Sequence, residues 1–327
     1  MSKLIIIAGP TASGKTAVAV ALAKQLNGEV VSADSMQIYK GMDIGTAKPT
    51  IKERENISHH MIDIIKPNEQ YSAAQFQLQA RAAIADIQAR GRVPILCGGT
   101  GFYINAVLYD VEFAKDDESI HPLDVDERNR LVDFAERYGP EKLYAMLREA
   151  DPAAAMAVHP NNIKRVSRAL SYIQTTSLLF SEYNTAQKQQ PPVYDAIFCR
   201  LSIDRPVLYQ RINMRAHAMF DAGLVDEVAG LMAQGYHPGL ASMQGIGYKE
   251  VAGYINGKCT REEAAEAVKQ NSRRYAKRQE TWFRNQNPHA LILPAQGNVE
   301  DIARLIVLQQ NITFNCTVKS QKQRIFN

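Results

Sequence analysis

Cysteine is scarce in this 327-residue chain: Cys97, Cys199, Cys259 and Cys316 stand far apart, with no CxxC pair. That spacing excludes a disulfide framework and a cysteine zinc finger, and leaves reduced thiols in a cytosolic compartment as the expectation. No apolar run approaches the roughly 18–20 residues that cross a bilayer. The longest near the start, Leu4–Ala8, runs into a Gly-Pro turn and lacks the parts of a secretory signal. An excess of one charge is also missing: 38 basic against 34 acidic residues leave +4, so the placement of charge is more informative than its sum. There is no internal repeat, and His59, His60 and His159 have no metal-ligand spacing, so all three read as structural. With 46% hydrophobic and 22% charged residues, disorder, collagen and coiled coil are excluded. A soluble, cytoplasmic globular protein is the expectation, with one large domain or two modest ones.

Strand and helix patterns alternate through the first third. Lys3–Ala8 and Glu29–Ala33 read as buried strands, His60–Ile64 as a short one, and Val93–Cys97 as another, closed by Gly98-Gly99. Between them, Thr16–Leu26 and a segment from a Ser72 cap to Arg90 have helical spacing. This order predicts an α/β fold with an open parallel sheet flanked by helices. From 116 to 189 only helical periodicity remains (Leu131, Phe134, Tyr138; Leu143, Met146, Leu147; Ile163, Val166, Leu170, Ile173), followed by the linker-like QKQQPP. Strand character returns at Ala196–Ile203 and at Ala290–Leu293. The expected layout is therefore a discontinuous core, 1–115 with 190–314, an inserted all-helical domain at 116–189, and a mobile polar tail at 315–327.

Gly9, Pro10, Thr11, Ala12, Ser13, Gly14, Lys15 and Thr16 spell GxxxxGK[ST] between a predicted strand and a predicted helix. Such a loop turns backbone N–H groups onto an anion at a helix N-terminus. Lys15 neutralises phosphate oxygens, and the Thr16 hydroxyl suits a phosphate-bound Mg²⁺. The motif leaves open which polyphosphate binds and whether a phosphoryl group moves. Asp34 ends the second strand on the ligand-binding edge of the sheet. A carboxylate there suits Mg²⁺ ligation or general-base work, and a helix cap or turn is its ordinary use. Gly98, Gly99, Thr100 and Gly101 follow another strand and belong to the same edge; Thr100 brings a hydroxyl donor.

Between Lys269 and Arg284 six basic residues face one acidic residue, Glu280. On a helix the basic side chains share one half of the circumference, with Tyr275, Trp282 and Phe283 on the other, where Trp282 reads as packed rather than stacked on a base. A second cluster, Lys164, Arg165 and Arg168, starts a helix that Asn161 or Asn162 caps. Two basic helices suit a long anionic partner, although a solvated charged face is the plain alternative.

Taken together, GPTASGKT (9–16), ADSMQIYKGMDIGTAKP (33–49), HHMID (59–63), GGTGFY (98–103), DPAAAMAVHPNN (151–162), KRVSRAL (164–170), RINMRAHAMFDAGLVDEV (211–228), MQGIGYKE (243–250) and YAKRQETWFRN (275–285) resemble the bacterial-type tRNA dimethylallyltransferases. The resemblance covers residues 4–284. It departs at Asn162, where Asp is frequent, and at Ser171, where Glu often stands. It implies a P-loop NTPase-like core and transfer of a dimethylallyl group from dimethylallyl diphosphate to N6 of the adenosine 3′ of the anticodon. By resemblance Asp34 is the base, Thr100 positions the reacting groups, and Arg215 stabilises the diphosphate leaving group with Mg²⁺. Also by resemblance, tRNA is held by Asp34, Ser35, Met36 and Gln37; by Lys164, Arg165, Val166, Ser167 and Arg168; by Gln244, Gly245, Ile246, Gly247, Tyr248 and Lys249; and by Lys277, Arg278, Gln279, Thr281 and Arg284. The target base leaves its stack to react. A monomer is expected. The rival reading is a P-loop kinase of a nucleotide or small metabolite, which leaves the basic helices without work; a non-enzymatic RNA binder leaves Asp34 and Thr100 without any.

Overall fold

The computed structural model describes residues 3–111, 122–188 and 190–309; the expected tail at 315–327 lies outside them. Two compact units divide the chain, Met1–Leu108 with Tyr194–Asn327, and Tyr109–Val193. The first begins with β1 (Leu4–Ala8), α1 (Lys15–Leu26), β2 (Gly28–Ser32), α2 (Ile51–Arg54), β3 (His59–His60), α3 (Ala73–Ala89), β4 (Val93–Gly98) and α4 (Gly101–Leu108). The second holds α5 (Pro122–Tyr138), α6 (Pro140–Ala150), α7 (Pro152–Met156), α8 (Ile163–Thr176) and α9 (Phe180–Lys188). The first then resumes with β5 (Ala196–Ser202), α10 (Arg205–Asp221), α11 (Leu224–Ala233), α12 (Tyr248–Ile255), α13 (Arg261–Gln286), β6 (Leu291–Pro294) and a helix over 299–309.

The six strands form one parallel sheet in the order β3-β2-β4-β1-β5-β6. β1 lies inside it, pairing Ile6 with Leu96 on one side and with Phe198 on the other. It is buried on both faces, which is why its sequence is unbroken LIIIA. Alternate residues Ile5, Ile7, Val30, Ile95, Cys97, Cys199 and Leu201 pack with Val18, Ala19 and Leu22 of α1 and with Ile302 and Ile306 of the last helix. α3 packs on β2 and β4, and a Ser72–Gln75 capping box starts it. The strand expected at His60–Ile64 stops at His60. Met61 and Asp63 take positive φ (64° and 57°), and the Ile64 and Ile65 N–H groups donate instead to Ile38 O.

A second core of the same unit packs Ile38, Tyr39 and Met42 against α10–α13 through Phe220, Leu224, Met243, Tyr248, Val251 and Val268. The segment 34–49 thus crosses from the sheet edge to the C-terminal helices without regular structure. The second unit has its own core of Leu131, Leu143, Leu147, Val166 and Leu170. There Asn162 Oδ1 caps α8 by accepting from Arg165 N at 3.3 Å, so the departure from Asp keeps the cap. An antiparallel bridge between Tyr109 and Pro192 closes the ends of this unit, which periodicity alone does not reveal.

Candidate active site

β1 ends in the phosphate loop. Gly14, with φ 88° and ψ 14°, turns the chain into α1, a conformation that costs glycine little. The Lys15 ammonium folds back to donate to Pro10 O at 2.7 Å. Burial, with the Arg215 charge adding to it, pulls its pKa down to about 8, so an anion in the loop favours the charged form that burial penalises. α13 braces the loop from outside: Gln279 Oε1 accepts from Thr11 N at 2.8 Å and its Nε2 donates to Gly99 O at 2.8 Å.

Asp34 and Thr100 sit where β2 and β4 end side by side. Ala33 N donates to Cys97 O, and Thr100 N donates back to Ala33 O at 3.1 Å. A Cβ on Gly98 would lie 2.1 Å from Ala33 O, so this approach requires glycine. The Thr100 hydroxyl accepts from Ser35 N at 3.1 Å, and Asp34 Oδ1 accepts from Met36 N at 2.9 Å. Burial raises the Asp34 pKa against the opposing pull of the Met36 N–H and the Lys15 charge, leaving a more basic carboxylate than an exposed one.

The segment 34–49 walls the cavity and is held by three anchors. Gln37 accepts from Ser32 Oγ at 3.1 Å; Lys48 is buried, with its ammonium on Tyr39 O, Asp43 and Asp63. Glu227, in the first turn of α11, accepts from the N–H groups of Asp43, Ile44 and Gly45 and from the Tyr248 hydroxyl at 2.6 Å. A Cβ on Gly45 would lie 2.5 Å from the Tyr248 ring. These contacts give residues of the DIGTAKP and GYKE strings their structural work; no signal in the sequence names Glu227 as their anchor.

Two adjoining cavities meet here. One, about 540 Å³, is lined by Thr11, Lys15, Thr16, Asp34, Arg215, Tyr275 and Gln279. The other, about 340 Å³, is lined by Asp34, Ser35, Met36, Arg215, Gln244, Gly245, Ile246, Lys249, Tyr275 and Arg278. Asp34, Arg215 and Tyr275 line both. Arg215 reaches over from α10 and donates to Thr11 Oγ1 at 3.4 Å. Tyr275 is the residue the sequence reading missed: it lines both cavities, with its pKa pushed up to about 12 by burial and by Asp34. Its place four residues before Gln279, on one helix face, was the available signal.

Thr16 and Asp34 also line a recess of about 30 Å³ with Val30, Ser32, Gln37, His59 and Cys97. Among the described residues no group of three or more His, Cys, Asp or Glu can hold a metal. The hydroxyl and carboxylate oxygens present therefore fit Mg²⁺ only as additions to oxygens that a diphosphate brings.

The residues expected on tRNA separate into two sets, with Asp34, Ser35, Met36 and Gln37 half-buried between them. Lys164, Arg165, Arg168, Gln244, Lys249, Lys277, Arg278, Thr281 and Arg284 are exposed, and Gly245 and Ile246 line the second cavity. Val166, Ser167, Gly247, Tyr248 and Gln279 are buried. Tyr248 serves Glu227 and lines the second cavity, and Gln279 serves the phosphate loop and lines the first. Within the basic stripe, Lys269 and Arg273 pair with Glu266, whereas Arg278 lies over the Tyr275 ring, 5.6 Å from its centre. Trp282 packs as expected, its Nε1 buried beside Gly101.

Residues 37–286 match the sequence model of the IPP transferase family. A tRNA dimethylallyltransferase of Bacillus pumilus is 49% identical over 282 residues, covering 86% of each chain. The crystal structure of the tRNA isopentenylpyrophosphate transferase of Bacillus halodurans is similar with 42% identity and a TM-score of 0.71, covering 97% of this chain and 99% of that one. A eukaryotic dimethylallyltransferase acting on tRNA is similar with 29% identity and a TM-score of 0.81, covering 96% and 80%.

Proposed function

The chain belongs to the IPP transferase family, and from that premise we propose how its site works. The reaction is transfer of a dimethylallyl group to tRNA. The observation that carries the reading is that the phosphate-loop cavity and the cavity of Gln244–Lys249 and Arg278 meet at Asp34 and Arg215. Dimethylallyl diphosphate occupies the first, with its diphosphate on the Gly9–Thr16 loop, and an extruded adenine enters from the second.

The exocyclic N6 of adenine is a weak nucleophile because its lone pair is delocalised into the ring. As N6 bonds to the allylic carbon, the carbon–oxygen bond to diphosphate breaks and an N6 proton passes to Asp34. Thr100, held by Ser35 N, fixes the geometry around that carboxylate. Arg215 and Lys15 meet the charge that grows on the leaving oxygen. Mg²⁺, when bound with the diphosphate, adds to that neutralisation, and Thr16 is the residue that would hold it. The exposed basic residues of α8 and α13 hold the tRNA backbone. The enzyme acts as a cytoplasmic monomer on the adenosine 3′ of the anticodon. Among the described residues no helix is long and apolar enough to cross a membrane.

The test is label transfer from radiolabelled dimethylallyl diphosphate to an anticodon stem-loop, with a guanosine-substituted control. Mg²⁺-dependent label on the adenosine RNA alone is expected, and Asp34→Ala should keep under about a tenth of the rate while stem-loop affinity stays within a few-fold. Equal label on the guanosine control, or no label with ATP turned over, overturns the reading.

A further inference from the structure

Glu227 lines neither cavity, yet its carboxylate holds part of the wall of both. Within residues 43–48 the backbone acceptors are answered locally: Asp43 O accepts from Lys48 N and Ile44 O from Ala47 N, each at 3.0 Å. The donors are answered from far along the chain. The N–H groups of Asp43, Ile44 and Gly45 all turn toward Glu227, 182 to 184 residues on. Three successive donors make a concave anion site, which this carboxylate fills.

The two carboxylate oxygens divide the work. Oε2 accepts from Asp43 N at 2.9 Å and Ile44 N at 2.7 Å, and Asp43 and Ile44 line the first cavity. Oε1 accepts from Gly45 N at 3.1 Å and from the Tyr248 hydroxyl at 2.6 Å, and Gly45 and Tyr248 line the second. Burial, with the Glu227 charge adding to it, raises the Tyr248 pKa, so the hydroxyl keeps its proton and donates. Tyr248 opens α12, and the residues shortly before it, Gln244, Gly245 and Ile246, line the second cavity as well. Oε1 therefore ties two separate parts of that cavity's wall to one atom.

We propose that Glu227 is a positioning residue for the acceptor: through Oε1 it sets the spacing between Gly45 and the 244–249 segment, and with it the opening by which the adenine reaches Asp34. The inference rests on the reading that the acceptor enters by the second cavity and the diphosphate binds in the first. Substitution separates the two oxygens. The amide of Glu227→Gln has one accepting and one donating atom. Its oxygen belongs at the site of Oε2, because an amino group there would face two backbone donors. The amino group is then left at the site of Oε1. The Tyr248 hydroxyl turns to accept from it, but the Gly45 N–H is stranded.

Glu227→Gln should raise both KM and Kd for an anticodon stem-loop about tenfold, with the Kd for inorganic diphosphate and the KM for dimethylallyl diphosphate within about twofold. Tyr248→Phe should act in the same direction. The double variant should be no worse than Glu227→Gln alone, because both changes fall on one oxygen; a tyrosine that touched the RNA directly would make the losses add. A protein that is merely loosened would lose affinity for both ligands together. Equal losses for stem-loop and diphosphate, a loss confined to diphosphate, an unchanged stem-loop affinity or additive losses in the double variant overturn the proposal. A parent protein that transfers no label to the stem-loop refutes the reading and this inference with it. An active parent whose Glu227→Gln variant keeps its stem-loop affinity refutes the role of Glu227 alone.

Discussion

Glu29, at the start of β2, stands at the opposite end of that strand from Asp34 and is almost fully buried beneath two arginines and a histidine. Arg90 holds both its oxygens, Arg92 reaches Oε1 at 2.7 Å, and His60 reaches Oε2 at 2.7 Å. The Arg90 hydrogen bonds dominate and hold its pKa down at about 2, against the pull of burial. A carboxyl that is more acidic in the folded than in the unfolded chain stabilises the fold above its unfolded value and loses that contribution as pH falls toward 2. The arginines are about two-fifths exposed, which trims the roughly 3 kcal/mol of the full shift to about 2 kcal/mol. Urea titrations should show Glu29→Gln less stable than the parent by about that much at pH 7, with the gap closing between pH 4.5 and 2. A gap that is constant with pH would mean that packing, not charge, is what Glu29 supplies.

α13 carries two functions on different faces of one helix. Lys277 and Arg284 look outward, Tyr275 and Gln279 look into the site, and Arg278, though exposed, borders the second cavity over the Tyr275 ring. Gln279 bridges the phosphate loop and the Gly98–Gly101 turn, taking one buried N–H and one buried carbonyl that would otherwise lack partners. Gln279→Leu strands both groups. Steady-state kinetics should then show KM for dimethylallyl diphosphate raised about tenfold with the Kd for tRNA within about twofold, since one or two kcal/mol of loop distortion falls on the donor side alone. Loss of tRNA affinity instead would return Gln279 to the RNA contacts that the resemblance implied. The helical pattern of α13 was legible from its spacing, and so was its basic side. The partners of its inward polar face were not: spacing set Tyr275 apart from the basic residues, but only packing of the helix shows that Gln279 meets Thr11 N and Gly99 O.

For the molecule as a whole, +4 is a weak net charge, so affinity for a polyanion depends on where cations lie unpaired. Each unit exposes such a group, Lys164, Arg165 and Arg168 on α8 and Lys277, Arg278 and Arg284 on α13. Lys277→Ala with Arg278→Ala should weaken tRNA binding and lower the slope of log K against log salt by about 1.5, as two phosphate contacts cease to release counterions. Filter binding between low and physiological salt measures this. An unchanged slope would make that stripe a solvated face.

The phosphate loop, the order of strands and helices, the helical character of the inserted segment and the family itself were all written in the chain, because each depends on local spacing or on strings of neighbours. Asp34 and Thr100 could be placed on the ligand-binding edge from the strand ends alone, and Arg215 only through resemblance; that the ends of β2 and β4 and the side of α10 meet around one cavity is a product of the fold. The bracing of Thr11 by Gln279 and the grip of Glu227 on residues 43–45 were illegible. Each joins groups between 182 and 268 residues apart, and burial, not sequence, determines which polar atoms must find one another.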